Sequence, residues 1–299
     1  MNTLTDVSAV ASAVRNAVAE VTITDVHTHL FPPSHGDLLL WGVDELLTYH
    51  YLVAELFTIA PRSLTYEKFW NMSRREQADA VWEHVFLRHG ALSEAARGVI
   101  TTLSALGLDV GGRDLDSIRS WFDTQNAEEY LGKVFELAGL DYAIMTNNPF
   151  VGKEADCWRR GLSGPECLKA ALRIDTLILD WPAAAKAMSE AGYDAAAEPG
   201  EAGFAAARKF LADWAARMKP VYMAASLPPE FRYPSEDVSG RVMEKVIVPS
   251  ARELGLPMAM MIGVRKQVNP SLRDGGDAVG VAGVTDVSNL CSAYPDVKF

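Results

Sequence analysis

Short runs of β-branched and small apolar residues alternate along this chain with stretches of helical periodicity, and glycine or proline marks most of the joints. Residues 21–26, 142–145, 171–181, 221–225 and 257–264 read as strands, and residues 182–192, 201–218 and 240–256 as the helices between them. A strand followed by a helix followed by a strand predicts parallel pairing, because the helical crossover carries the chain back to the end where the first strand began. The first strand is followed by something longer. Residues 41–60 and 65–109 are helical, with Trp70, Trp82, Val85, Phe86 and Leu87 as packing residues, and Pro61 divides the two stretches. Residues 285–299 read as a helix, a break at Pro295, and the opening residues of a further strand. The expected organisation is one α/β domain over 1–299 with a mostly helical insertion at 41–134.

Composition narrows the function. Hydrophobic residues make up 49% of the 299, enough for a large core. The net charge of −11 argues against nucleic acid or an anionic membrane as the main partner. No apolar run reaches the ~18 residues of a membrane span. The opening 21 residues lack the basic start and long apolar centre of a signal peptide and read as an amphipathic helix. Three cysteines, Cys157, Cys167 and Cys291, show no metal-ligand spacing and cannot all pair. A reducing, cytoplasmic setting is the expectation.

The chemistry concentrates in ITDVHTHLFPPS, residues 23–34. Two of the six histidines, His27 and His29, stand one residue apart where the first strand ends. Side chains of a strand alternate faces, so both imidazoles point one way and Thr28 the other. Pro32 and Pro33 then turn the chain out into a loop. The C-terminal ends of parallel strands are where α/β enzymes carry their chemistry, and neutral imidazole is a common ligand for zinc and similar ions.

DVHTHLF at 25–31 and WGVDELLTYHYLVAEL at 41–56, with its His50–Tyr51 pair, resemble uronate isomerase of the amidohydrolase superfamily. MTNNP at 145–149 and RID at 173–175 resemble two later landmarks, T-T-D-D-P and R-P-D, in the same order. The resemblance runs from about residue 20 to 299. It implies a (β/α)8 TIM barrel of the metal-dependent hydrolase type, a divalent metal, zinc first, on His27 and His29, and aldose–ketose isomerisation of hexuronates. The substrate would be a small sugar acid, with homo-oligomerisation left open. Tyr51 would hydrogen-bond substrate near the reacting carbonyl, and Arg173 would meet negative charge on the substrate or an enediolate. The sequence also departs from the pattern. Leu52, Val53 and Ala54 replace a Lys-Trp-Arg run, Asn147 and Asn148 replace paired acids, and Met261 stands where the family has a histidine. The family's late Trp-Trp strand and metal-binding aspartate have no counterpart up to Phe299, so the barrel is expected to be incomplete at its C-terminus, with an open edge.

Other residues read as structural. His50 is expected to pack, His35 and the Trp158–Arg160 run to face solvent, and His84 and His89, five apart, to miss the spacing of a helical metal pair. Residues 226–234, with Arg232 and Tyr233, lie by position in a loop after a strand. Two alternative functions stand beside isomerisation: a hydrolase or decarboxylase of the same superfamily, in which the metal activates water, and a non-catalytic barrel fragment.

Overall fold

The computed structural model describes residues 6–299. It begins with helix α1 (Val7–Glu20), started by Asp6, whose carboxylate accepts the Ala9 N–H at 2.8 Å. Strand β1 (Ile23–Thr28) follows. It starts and ends two residues later than the β-branched pattern suggests, so His27 lies inside the strand and His29 just beyond it. The apolar stripe of α1, Val7, Val10, Val14 and Val18, is exposed.

The stretch between β1 and β2 is helical: α2 (Val43–Leu47), α3 (His50–Ile59), α4 (Tyr66–Trp70), α5 (Arg74–Val81) running on as a wider π turn to Arg88, α6 (Glu94–Ala105), α7 (Leu115–Asp123) and α8 (Ala127–Ala138). Side-chain caps explain several of the starts. Ser73 and Glu76 form a reciprocal capping box on α5, and Asp114 and Asn126 cap α7 and α8. This layer has its own core, in which Phe69, Leu47, Leu56 and Leu103 are fully buried. A polar clamp fastens it: the buried Arg119 guanidinium binds Asp44 at 2.8 Å, Asp79 at 2.6 Å and Asp116 at 3.0 Å.

Gly139 closes α8 with a left-handed backbone (φ 63°), which a residue without Cβ adopts freely, and turns the chain into β2 (Leu140–Asn147). From there the rhythm is regular: α9 (Gly152–Arg159), β3 (Leu168–Arg173), α10 (Asp175–Leu179), α11 (Trp181–Glu190), α12 (Glu201–Met218), β4 (Met223–Leu227), α13 (Val238–Val242), α14 (Val248–Leu254) and β5 (Met258–Ile262). The apolar run at 171–181 is therefore not one strand. Its first residues end β3, and Asp175 to Leu179 turn outward as a helix, because Arg173 and Asp175 pair at the strand end and break the extended run.

Five strands lie parallel in the order β1-β2-β3-β4-β5, as a curled half-barrel. A second core lies between the sheet and its outer helices, built on Trp181, Trp214, Phe210, Leu172 and Met145. After β5 comes a two-stranded ribbon, β6 (Val264–Arg265) with β7 (Ala278–Val279), and then α15 (Thr285–Ala293). Beyond α15 the chain returns to β5, where the Met258 N–H donates to the Lys298 carbonyl at 2.8 Å. No helix among the described residues is long and apolar enough to cross a membrane.

The loop inside the ribbon straps the two layers together. The Trp70 indole N–H donates to the Ser271 carbonyl at 2.8 Å, Asn269 Nδ2 donates to the Tyr66 hydroxyl at 3.1 Å, and the Arg273 guanidinium lies 4.1 Å from the Trp70 ring centre. Gly275 touches α3 so closely that a Cβ there would stand 2.8 Å from the His50 carbonyl oxygen.

Candidate active site at the strand tips

The structure brings His27 and His29 together. Their ring centres are 5.2 Å apart and edge to face. The His27 N–H donates to the Asp25 carboxylate at 3.1 Å. Both imidazoles are held below the usual histidine range: His27 by partial burial and then by the Arg173 charge, His29 by burial and then by His27, Arg173, His50 and Lys266. Each is thus kept neutral, with a lone pair, near neutral pH. Thr146, near the end of β2, reaches across, its Oγ1 lying 3.3 Å from both His29 Nδ1 and the Thr28 carbonyl.

Arg173 ends β3 on the same side of the sheet. Its Nη2 and Nε donate to the two oxygens of Asp175 at 2.7 and 3.1 Å, and Asp175 also accepts the Ser226 N–H from β4 at 2.8 Å. Burial works against the charge on Arg173, but the bonds from Asp175 outweigh it and hold the guanidinium ionised. One carboxylate thus ties the ends of β3 and β4 together and orients the cation. The pattern Arg-x-Asp at a strand end was the available signal for Asp175, which sequence reasoning left unassigned.

Tyr51 occupies the first turn of α3 with its side chain 62% exposed. It stacks on His50 and makes no hydrogen bond or ring contact with His27, His29 or Arg173. His50, expected to be structural, is itself held below the usual histidine range, chiefly by burial. It sits between Tyr49 and Tyr51, 4.2 Å from each ring centre.

Solvent exposure is overturned for His35 and Trp158, while Arg159 and Arg160 are exposed as expected. His35 is buried, with Nε2 3.2 Å from the Leu162 carbonyl and its ring at the edge of Trp158, which is buried as well. The loop leaving β1 folds back on α9 instead of standing in water. Arg159 pairs with Asp156 at 2.8 Å and gathers no anion pocket. In the loop after β4, Arg232 Nη1 donates to the carbonyls of Pro229 and Phe231, and the buried Tyr233 bonds Tyr294.

Beneath the tip of β2 lies a carboxylate that sequence reasoning passed over. Glu154, on the first turn of α9, is 4% exposed. Its Oε1 accepts from Asn147 Nδ2 and from the Asn148 N–H, both at 2.9 Å. Burial pushes this acid up to about 7 against the pull of those bonds and of Arg173.

A cavity of about 480 Å³ opens beside the histidine pair, between β1 and the helical layer, lined by His27, His29, Phe31, Trp41, Tyr49 and Tyr130 among others. No cluster of three or more His, Cys, Asp or Glu side chains suited to a metal exists among the described residues. His27 and His29 offer two neutral imidazole nitrogens, a donor set of the kind zinc takes.

No family model matches the chain, and no curated protein does. Solved structures do. A uronate isomerase from Bacillus halodurans C-125 superimposes with a TM-score of 0.95 at 43% identity, over 99% of this chain and 70% of that one. A glucuronate isomerase from Caulobacter crescentus matches with a TM-score of 0.68 at 16% identity, over 94% of this chain and 68% of that one. A uronate isomerase from Thermotoga maritima matches with a TM-score of 0.70 at 15% identity, over 95% and 71%. The last two show a shared fold. The first, with the paired histidines and the Arg173–Asp175 fork at the strand tips, settles the assignment: the chain belongs to the uronate isomerase family.

Proposed function

We propose that the chain interconverts an aldose and a ketose form of a hexuronate, glucuronate to fructuronate or galacturonate to tagaturonate. The carrying observation is the 43% identity to a uronate isomerase along nearly the whole chain, joined to a site with the right charge for a sugar acid. The reaction moves one proton between neighbouring carbons and consumes no water, so the site must hold a carboxylate and steady an anionic enediolate. Arg173 is suited to both tasks: Asp175 fixes its plane through Nε and Nη2, and Nη1 makes no side-chain bond among the described residues. Lys266 adds positive potential on the same side. Tyr51, on α3 next to His50, is proposed to close on the substrate once it is seated.

His27 and His29 are proposed to hold a divalent ion, zinc first, which when bound supplies Lewis-acid polarisation of the substrate carbonyl. The curled sheet supports a (β/α)8 barrel as the architecture of the family, with β1 to β5 as five of its strands. Three free cysteines support a reducing compartment, and the cytoplasm is proposed on that ground.

The test is incubation with glucuronate and galacturonate in deuterated water. Isomerisation puts solvent deuterium at the carbon next to the carbonyl and yields the ketose. A product that has gained water or lost carbon dioxide would instead identify a hydrolase or decarboxylase.

A further inference from the structure

Thr146 carries one hydroxyl proton and faces two partners at the same distance of 3.3 Å, the Thr28 carbonyl and His29 Nδ1. A carbonyl oxygen can only accept. With the hydroxyl proton given to the Thr28 carbonyl, the Thr146 oxygen is left to accept from the imidazole. That arrangement requires a proton on His29 Nδ1. Were Nδ1 bare, it would compete with the Thr28 carbonyl for one proton, and one of the two acceptors would go unpaired in a half-buried site.

We propose that Thr146 is a positioning residue that fixes His29 as its Nδ1–H tautomer, leaving Nε2 as the bare nitrogen offered to the site. The tautomer of a ligand histidine is generally set by the bond its other ring nitrogen makes. Here that bond comes from the neighbouring strand, so β2 sets the state of a side chain just past β1. The strand tip that carries Thr146 is itself anchored. The next two residues, Asn147 and Asn148, both donate to the buried Glu154 at 2.9 Å, which holds the end of β2 against α9. The backbone between Thr146 and His29 is held as well, because the Thr28 carbonyl is one of the hydroxyl's two partners.

The proposal rests on His29 belonging to the active site, but the tautomer can be read without substrate or metal. The experiment is a two-bond ¹H–¹⁵N correlation on the ¹⁵N-labelled 299-residue chain at a pH where His29 is neutral, with a His29→Gln sample to assign the signal. The parent is expected to show a protonated Nδ1 and a bare Nε2. Thr146→Val should lose that preference, and Thr146→Ser, which keeps the hydroxyl, should restore it. Zinc affinity, measured on the same proteins by competition with a chromophoric chelator, should fall on the order of 10- to 100-fold in Thr146→Val and recover in Thr146→Ser. Circular dichroism on each variant separates loss of the bond from loss of the fold. A bare Nδ1 in the parent, or an unchanged tautomer in a folded Thr146→Val, overturns the proposal. A protonated Nδ1 in a chain that fails to bind zinc would leave Thr146 in its role and count against the metal.

Discussion

Asp175 grips Arg173 with both carboxylate oxygens and takes the Ser226 N–H with one of them, so a single side chain sets a cation and joins two strand ends. The guanidinium's planar fork is what makes this possible. Arg173→Lys should keep the charge and lose the fork, lowering kcat/KM about tenfold or more, each tenfold corresponding to roughly 1.4 kcal/mol. Asp175→Asn should lower it by a similar factor while raising KM, because the cation would then swing. Equal kcat/KM in parent and Arg173→Lys would remove Arg173 from the site.

The histidine pair makes a prediction about metal and pH. Burial and neighbouring positive charge hold both imidazoles below their usual range, so they stay unprotonated to lower pH than free histidine. Zinc retention after desalting should persist down to pH values where exposed histidines are already cations. The double variant His27→Ala, His29→Ala should retain none at any pH. Metal analysis by plasma emission decides it, and unchanged zinc in the double variant would end the idea of a shared ion.

Glu154 predicts how stability depends on pH. Its pKa in the folded chain is raised from 4.5 to about 7, so folding favours the protonated acid. The associated stability is fully present below the ordinary carboxylate range and is lost as pH rises through about 7. The effect is on the order of a few kcal/mol. Glu154→Gln keeps an acceptor for Asn147 and Asn148 and cannot ionise. Its unfolding free energy, minus that of the parent, should therefore grow between pH 5 and pH 8. Denaturant titrations at the two pH values measure this, and an equal difference at both would show that Glu154 does not titrate in that window.

Arg119 anchors the helical layer through Asp44, Asp79 and Asp116. Arg119→Ala should cost about 3–5 kcal/mol, because Asp44 keeps a partly buried charge with its partner gone. Arg119→Met, which fills the volume, should cost less than Arg119→Ala. A loss below 1 kcal/mol in urea unfolding would mean that water already screens the three carboxylates.

Much of this was legible in the residues because it follows from periodicity. The strand–helix rhythm, the helical stretch from 41 to 134 and the stop at Gly139 all rest on local patterns. The closeness of His27 and His29 was legible from their spacing at the end of an apolar run, although His29 lies just past the strand whose alternation suggested it. What escaped has a common cause, namely side-chain contacts that local periodicity does not encode, whether the partners are distant in sequence or only a few residues apart. His35 is polar and follows two prolines, which reads as solvent, yet α9 arrives from more than 120 residues later to cover it. Glu154 looks like an ordinary charge on a helix until the tip of β2 is laid over it. The apolar TLIL at 176–179 is as good a strand as many, and only the Arg173–Asp175 fork shows why the strand has already ended.

The strap between β6 and β7 bears on how the molecule opens. Two separate apolar cores lie on either side of it, one in the helical layer and one against the sheet, and Trp70, Tyr66 and His50 are among the residues through which the strap grips the helical one. Such cores can open as separate cooperative units with different free energies. The candidate site lies at their seam, with His27 and Arg173 supplied by the sheet and Tyr49 by the helical layer. A molecule held there bridges the two units, and its binding free energy becomes coupling between them. Amide exchange in α3 and α4 should then slow as the site fills, until both units open together: the enzyme would behave as one cooperative body because it is occupied.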